Sequence, residues 1–145
     1  MIQNENEFKL NIITPEGRNF EKEVWFVRLP GVRGDIGVLK SHSPALIELV
    51  PGKILIKSSD TEPERFFVPG GTAQVLVDQV TILTEYFEKI ADIDISAAEA
   101  EALHAERMLK EKDQIKESDR KMALRVLLRA RAKIHNFNHH KASNY

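Results

Sequence analysis

The sequence contains no cysteine among its 145 residues. This absence excludes disulfides, a thiol nucleophile and thiolate metal ligands, and it agrees with a reducing compartment. No apolar run approaches the roughly 20 residues that a membrane span needs. The first seven residues are polar and acidic, which is unlike a signal peptide, so we expect no direct membrane insertion.

Acidic residues are absent from residues 120–141, although this stretch carries seven Lys and Arg. The near-neutral net charge of −1 therefore hides an asymmetry. Residues 1–95 carry 10 Lys and Arg against 15 Asp and Glu, whereas residues 96–145 carry 11 against 7. We expect the two segments to meet different partners.

Short apolar segments separated by turn residues fill the first ninety positions. Phe8–Ile12 alternates apolar and polar residues, as a half-buried strand does. Residues 20–29 are rich in β-branched and aromatic side chains, and a turn is predicted at Thr14–Gly17. The pattern predicts eight to ten short strands that form an antiparallel β-sandwich or a flattened barrel.

The hydrophobic period changes near residue 93, which predicts a second domain over residues 93–145 after a β-sandwich over 1–92. Asp94, or Ser96 in a capping box, begins a first helix to about residue 112. Asp119 begins a second helix after a polar connector over 112–118. Small residues on both apolar stripes favour an antiparallel hairpin, and the tail over 138–145 is expected to fray. The fold class is thus α+β. The stripes are Ala98, Ala102, Ala105 and Leu109, and Ala123, Val126 or Leu127, Ala130, Ile134 and Phe137.

Residues 30–52 hold four of the seven glycines in the chain. The spacing is wrong for a phosphate-binding loop, because no Gly-Lys-Ser/Thr and no long helix follow. The glycines serve turn geometry, or they shape a contact loop that carries Asp35 and His42; both interpretations stay open.

Three features together resemble the epsilon subunit of bacterial F-type ATP synthase, which is called delta in mitochondria. Residues 31–44 read Gly-x-x-Gly-Asp-Ile-Gly-Val-Leu-x-x-His-x-Pro and precede Leu49-x-Pro51-Gly52. Residues 67–71 read Phe-Val-Pro-Gly-Gly, and Ile93-Asp94 opens the helical region. The resemblance covers roughly residues 8–137.

The resemblance implies a ten-stranded β-sandwich followed by a helical hairpin, in a non-catalytic subunit of the rotating central stalk. It implies binding to the gamma subunit and to the ring of c subunits of a proton-translocating enzyme. It also implies that the hairpin can extend along gamma toward the beta and alpha subunits and hinder ATP hydrolysis. The complex would lie on the cytoplasmic face of the bacterial inner membrane.

The resemblance assigns contact residues on both domains. Gly34, Asp35, Ile36 and His42 match positions that face the c ring, although Asp35 and His42 also suit ordinary turn residues. Arg125, Arg129 and Lys133 share one helical face that would contact the beta subunit, with a solvated basic face as the alternative.

Family members that bind ATP carry an Ile-Asp-x-x-Arg-Ala motif at the first helix. Here Ile93, Asp94 and Ala98 match, but Ala97 replaces the arginine. Because that cation would pair with a phosphate, we expect weak or no ATP binding and no cofactor.

Other interpretations remain beside the family. His135, His139 and His140 offer two imidazoles at i and i+4, a spacing that can bind zinc, but nearby acids and cysteines are missing, so no metal site is expected. The basic helix could bind nucleic acid, although the acidic β region opposes this. Asp35 and His42 could act as acid and base in an enzyme, although no third orienting group is evident. Trp25 is expected in the core or at the gamma interface.

Overall fold

The computed structural model describes residues 5–111 and 115–142. The chain divides into two compact units between Lys89 and Ile90, three residues before the predicted boundary. The first unit holds the strands and the second holds the helices, so each is described separately.

The first unit contains ten strands among its described residues. They are β1 (Phe8–Ile13), β2 (Asn19–Val24), β3 (Phe26–Gly31), β4 (Gly34–Val38), β5 (Ala45–Leu49), β6 (Gly52–Lys57), β7 (Glu64–Val68), β8 (Gly71–Val75), β9 (Gln79–Leu83) and β10 (Glu88–Lys89). The predicted turn at Thr14–Gly17 is present, since the Gly17 amide donates to the Thr14 carbonyl at 3.1 Å.

The strands form one curled sheet in the order β10-β7-β6-β3-β5-β8-β9-β1-β2, with β4 beside β3. Each described pairing is antiparallel except that of β1 with β9, which is parallel. The predicted antiparallel pairing therefore does not hold at this one pair. Alternation of apolar and polar residues reads the same in both directions, so the sequence pattern carries no information on strand direction.

The sheet folds over a single apolar core, because β3 pairs with β6 through Phe26–Arg28 and reaches β5 at Gly31. Alternate side chains of each strand point inward; on β1 these are Phe8, Leu10 and Ile12. The predicted β-sandwich architecture is confirmed.

Side chains of β2 close the curled sheet against β7. The Lys22 ammonium lies 3.1 Å from the Glu64 carboxylate, and the Phe20 and Phe66 rings meet edge to face at 5.2 Å. Just before β2, Arg18 donates to the Phe87 carbonyl at 2.6 Å. An ion pair and an aromatic contact therefore join β2 to β7, two strands that are not neighbours in the sheet order.

The second unit begins with a 3-10 turn at Ile90–Asp92, followed by α1 (Ile95–Lys110) and α2 (Glu117–Ala142). The two helices pack through a small core of Ala102, Ala105, Leu127 and Ala130, with Leu109, Val126 and Ile134 at its edge. These residues belong to the predicted stripes, and the predicted two-helix hairpin is confirmed. None of the described helices has the length and hydrophobicity to cross a membrane.

Two boundary predictions for α2 were wrong. The helix begins at Glu117, so Asp119 lies in its first turn, and it continues for 26 residues to Ala142 rather than fraying from residue 138. The 3-10 turn packs against α2, which gives the helix more support than α1 alone provides. The connector prediction over 112–118 falls partly on residues 112–114, outside the described residues.

Candidate functional site

The first predicted contact surface lies on the β3–β4 hairpin. Gly31 pairs with Gly34, so Val32 and Arg33 form the turn. Gly34 has a φ of 118°, and a Cβ on Gly31 would lie 2.8 Å from the Gly34 carbonyl oxygen. Turn geometry therefore requires glycine at both positions.

Asp35 lies in strand β4, opposite Pro30, and not in a loop as the sequence pattern suggested. The apolar residues after Asp35 predict a strand from Ile36, but its start at Gly34 was missed, because glycine is unfavourable in strand interiors. β4 pairs with β3 alone among the described strands, so Asp35 is an exposed side chain on a sheet edge. Ile36, the next residue, is half-buried against the sandwich core.

His42 lies in the loop that follows β4. Its Nδ1 atom is 2.7 Å from the Ser43 carbonyl oxygen, and its amide donates to the Leu39 carbonyl at 3.2 Å. Residues 36–41 separate Asp35 from His42 along the chain, and no described hydrogen bond joins the two side chains. The structure does not join them as an acid–base pair, so the enzyme hypothesis loses its proposed site.

The degenerate ATP-binding motif lies at the start of α1. Asp94 is the N-cap of this helix, and its carboxylate accepts a hydrogen bond from the Ala97 amide at 3.1 Å. The alternative cap at Ser96 is not used, because Ser96 lies within the first turn. Ile93 and Ala98 are buried, whereas Ala97 is exposed. Three of the four motif positions therefore support helix initiation and packing.

The basic residues of α2 differ in exposure. Arg125 is exposed, and Arg129 and Lys133 are half-buried. Arg131, on a different helix face, forms a 3.0 Å ion pair with Glu106 of α1. This pair could not be predicted from the sequence, because a contact between helices depends on their relative register.

His135 and His139 are exposed near the end of α2, whereas His140 is half-buried. The His135 and His139 rings stack with centroids 6.1 Å apart. Within residues 5–111 and 115–142, no group of three or more His, Cys, Asp or Glu side chains is arranged to hold a metal ion.

Trp25 is 37% exposed, so the prediction that it lies in the core was wrong, while its alternative placement at a protein interface remains a prediction. Trp25 follows β2 and precedes β3, and its ring lies 6.0 Å from that of Phe26. Arg28 and Lys57 approach the same rings, a grouping that the sequence analysis missed. The alternation in β3 could have shown that Arg28 points outward, but its pairing with β6 requires the structure.

Comparison with known families identifies the chain. The family model described as the ATP synthase delta/epsilon chain β-sandwich domain matches residues 7–90. The chain belongs to the ATP synthase delta/epsilon family. It is therefore a non-catalytic subunit of the F-type ATP synthase, and the stand-alone nucleic-acid alternative is not supported.

Relatives in this family share about a third of their residues with the chain. The ATP synthase epsilon chain of Desulfosudis oleivorans is 39% identical over 101 residues, which are 70% of this chain and 76% of the relative. That of Nitratidesulfovibrio vulgaris is 37% identical over 131 residues, 90% of this chain and 95% of the relative. The similarity to the second relative therefore includes the helices.

Two solved structures contain a chain with the same fold. A chain in the Euglena gracilis mitochondrial ATP synthase, from an assembly of OSCP, F1 and c ring, matches with a TM-score of 0.68 and 17% identity. The match covers 100% of this chain and 91% of the other. A chain in the Tetrahymena thermophila central stalk and c-ring structure matches with a TM-score of 0.58 and 11% identity, over 97% and 99% of the two chains.

Proposed function

We propose that the sandwich couples the gamma subunit to the c ring and that the helical hairpin is a two-state latch that restrains ATP hydrolysis. One structural observation gives this proposal its main support. The sandwich and the hairpin each have a hydrophobic core of their own, and the chain divides between Lys89 and Ile90. A segment with its own core can change position without unfolding the other unit.

The c-ring contact is proposed for the exposed edge of β4 and the following loop. Gly34 and Asp35 are exposed on this edge strand, Ile36 is half-buried behind them, and His42 lies in the loop. The Asp35 carboxylate can accept charge-assisted hydrogen bonds from ring Arg side chains or backbone amides. The rigid hairpin of β3 and β4 holds that carboxylate in a fixed position.

The contact with the beta and alpha subunits is proposed for the basic face of α2. Arg125, Arg129 and Lys133 stand at successive i, i+4 positions. Acidic residues are absent from the sequence from Arg120 onward, so the segment carries charges of one sign. Such a face favours docking against an acidic surface in the inhibited state.

We further propose that the subunit binds peripherally on the cytoplasmic face of a bacterial inner membrane, within a proton-translocating enzyme. It carries no cofactor, and ATP binding at the start of α1 is weak or absent. Asp94 already caps the helix, and Ala97 supplies no cation for a phosphate. Micromolar ATP affinity of the isolated chain in a calorimetric titration would refute this last point.

Co-purification with a gamma subunit of the same enzyme tests the coupling role. The full chain and a chain ending at Lys89 are expected to retain gamma equally, because the sandwich is proposed to make that contact. Asp35→Arg is expected to keep gamma but to weaken binding of the gamma–epsilon pair to isolated c rings. Glu16→Arg, a matched change at an exposed turn, serves as the control. Loss of gamma binding on removal of residues 90–145 contradicts the proposal.

A further inference from the structure

Cationic and aromatic side chains gather on the outer face of β3 and β6. The register pairs Phe26 with Lys57, Val27 with Ile56 and Arg28 with Leu55. Val27 and Ile56 are buried in the sandwich core. Because side chains alternate along a strand, Phe26, Arg28 and Lys57 lie on the opposite, outer face. Together with Trp25 they are called the outer cationic patch.

Contacts within the outer cationic patch hold its charges over aromatic rings. The Lys57 ammonium lies 5.7 Å from the Trp25 ring centroid and 5.4 Å from that of Phe26. The Arg28 guanidinium lies 5.8 Å from the Phe26 ring centroid. These distances are those of cation–π pairs, which restrict the rotamers of long side chains. The two cations are thus positioned before any partner arrives.

Gly37 provides the space in which the Phe26 ring lies. It is opposite Arg28 on the neighbouring strand β4. A Cβ at Gly37 would lie 3.0 and 3.2 Å from two Phe26 ring carbons. Phe26 is therefore half-buried against backbone, while Trp25 and Arg28 stay exposed. The patch therefore has a packed aromatic ring beneath it and exposed side chains on its surface.

Two further cations surround the patch. Leu55 pairs with Arg28 on one side and with Arg65 of β7 on the other, so two arginines flank it in the sheet. The pKa of Lys53 on β6 is lowered by burial and then by repulsion from Arg65 and Arg28, which Asp35 opposes. The local excess of positive charge therefore contributes to lowering the Lys53 pKa in the folded chain. It stands out because residues 1–95 carry 10 Lys and Arg against 15 Asp and Glu.

We propose that the outer cationic patch docks an acidic segment of a protein partner. Carboxylates of that segment pair with Arg28 and Lys57, and its apolar atoms cover Trp25. Tryptophan and arginine are the residues that most often dominate protein–protein binding energy. A carboxylate partner also relieves the repulsion among the clustered cations. The inference rests on the patch alone and does not depend on the proposed coupling or latch roles.

A protein segment fits this surface better than a phosphate group does. The cations are spread over neighbouring strands, which lie about 4.8 Å apart, and rise from the face of a sheet. Phosphate sites usually gather backbone amides at a helix start or a glycine-rich turn, and the patch lies on regular paired strands. An extended acidic chain can place several carboxylates along such a face.

The single tryptophan of the chain allows a direct test, because Trp25 lies within the patch. The full chain is titrated at low salt with an acetylated, amidated octaglutamate peptide, which has no fluorescence of its own. We expect a saturable change in Trp25 emission that weakens as salt is raised and is absent with octaglutamine. The variant R28Q/K57Q is expected to weaken binding about tenfold.

The matched control R33Q/K40Q removes one Arg and one Lys from exposed positions outside the patch, and it should bind the peptide like the unaltered chain. Unfolding midpoints establish that each variant folds, and K57Q alone replaces the double variant if that one does not. Equal weakening in the control, or no saturable change at all, overturns the proposal. Tighter binding of tripolyphosphate or of phosphatidylserine vesicles, with the same dependence on Arg28 and Lys57, also overturns it.

Discussion

Gly71 shows how one residue can determine the start of a strand. Its φ is 138°, and a Cβ there would collide with the Leu83 carbonyl oxygen of the neighbouring strand. Residues other than glycine rarely adopt this φ. The collision is with a backbone atom, so a change of side-chain rotamer cannot relieve it. The sequence shows a Pro-Gly-Gly turn at this point, but it does not show which glycine approaches β9.

Gly71→Ala is therefore expected to lower the free energy of unfolding by roughly 3 kcal/mol, through backbone strain and overpacking. Gly17→Ala is the matched control, because Gly17 also has a positive φ, of 87°, but no atom lies within 4 Å of an added Cβ. It should cost about 1 kcal/mol. Urea unfolding followed by Trp25 emission measures both, and equal costs would show that the Leu83 carbonyl is not the cause.

Lys53 gives a pH-dependent prediction at the same scale. Its pKa in the folded chain is lowered from 10.5 by burial and by Arg65 and Arg28. In the range between the folded and unfolded pKa values the unfolded chain binds more protons, so stability from this group rises with pH there. At neutral pH the charged Lys53 therefore opposes folding.

Lys53→Met should raise the urea midpoint at pH 7, and the gain should shrink as the pH rises toward 10.5. The comparison is between the variant and the unaltered chain at each pH. Lys40→Met, at an exposed loop position, should change the midpoint little. A gain that stays constant over this pH range would indicate that Met stabilises by packing rather than by removing a charge.

At the scale of elements, the sequence predicted which strands and helices exist better than where they end and how they pair. Alternating residues identified β1, and small residues at helical spacing identified the faces on which α1 and α2 meet. The direction of β9 beside β1 and the length of α2 could not be predicted, because they depend on contacts between distant segments. The start of β4 at Gly34 was also missed, although its apolar residues from Ile36 predict a strand, because glycine is unfavourable in strands.

The hairpin depends on close approach at its alanines. Ala130 is fully buried in the core between α1 and α2. Ala130→Leu is expected to destabilise the hairpin by about 1–3 kcal/mol, because the larger side chain forces the helices apart. Loss of far-UV circular dichroism during urea unfolding reports the helices. Ala100→Leu, at an exposed position of α1, should leave that transition nearly unchanged.

At the scale of the whole molecule, the candidate contact surfaces occupy both units. Asp35 lies on the edge of the sandwich and Arg125 on α2, and the chain divides between these units at Lys89. The family resemblance predicted both residues as contacts from their positions in the sequence. The sheet edge that exposes Asp35 is seen only in the structure. The outer cationic patch could not be found from the sequence, because Arg28 and Lys57 are 29 positions apart and meet through strand pairing.

The helical unit is proposed to restrain hydrolysis while the sandwich couples the rotor. The most direct measurement compares ATP hydrolysis by the enzyme reconstituted with the full chain and with a chain ending at Lys89. We expect equal incorporation of both chains and severalfold faster hydrolysis with the shorter one. Equal hydrolysis rates at equal incorporation would contradict it.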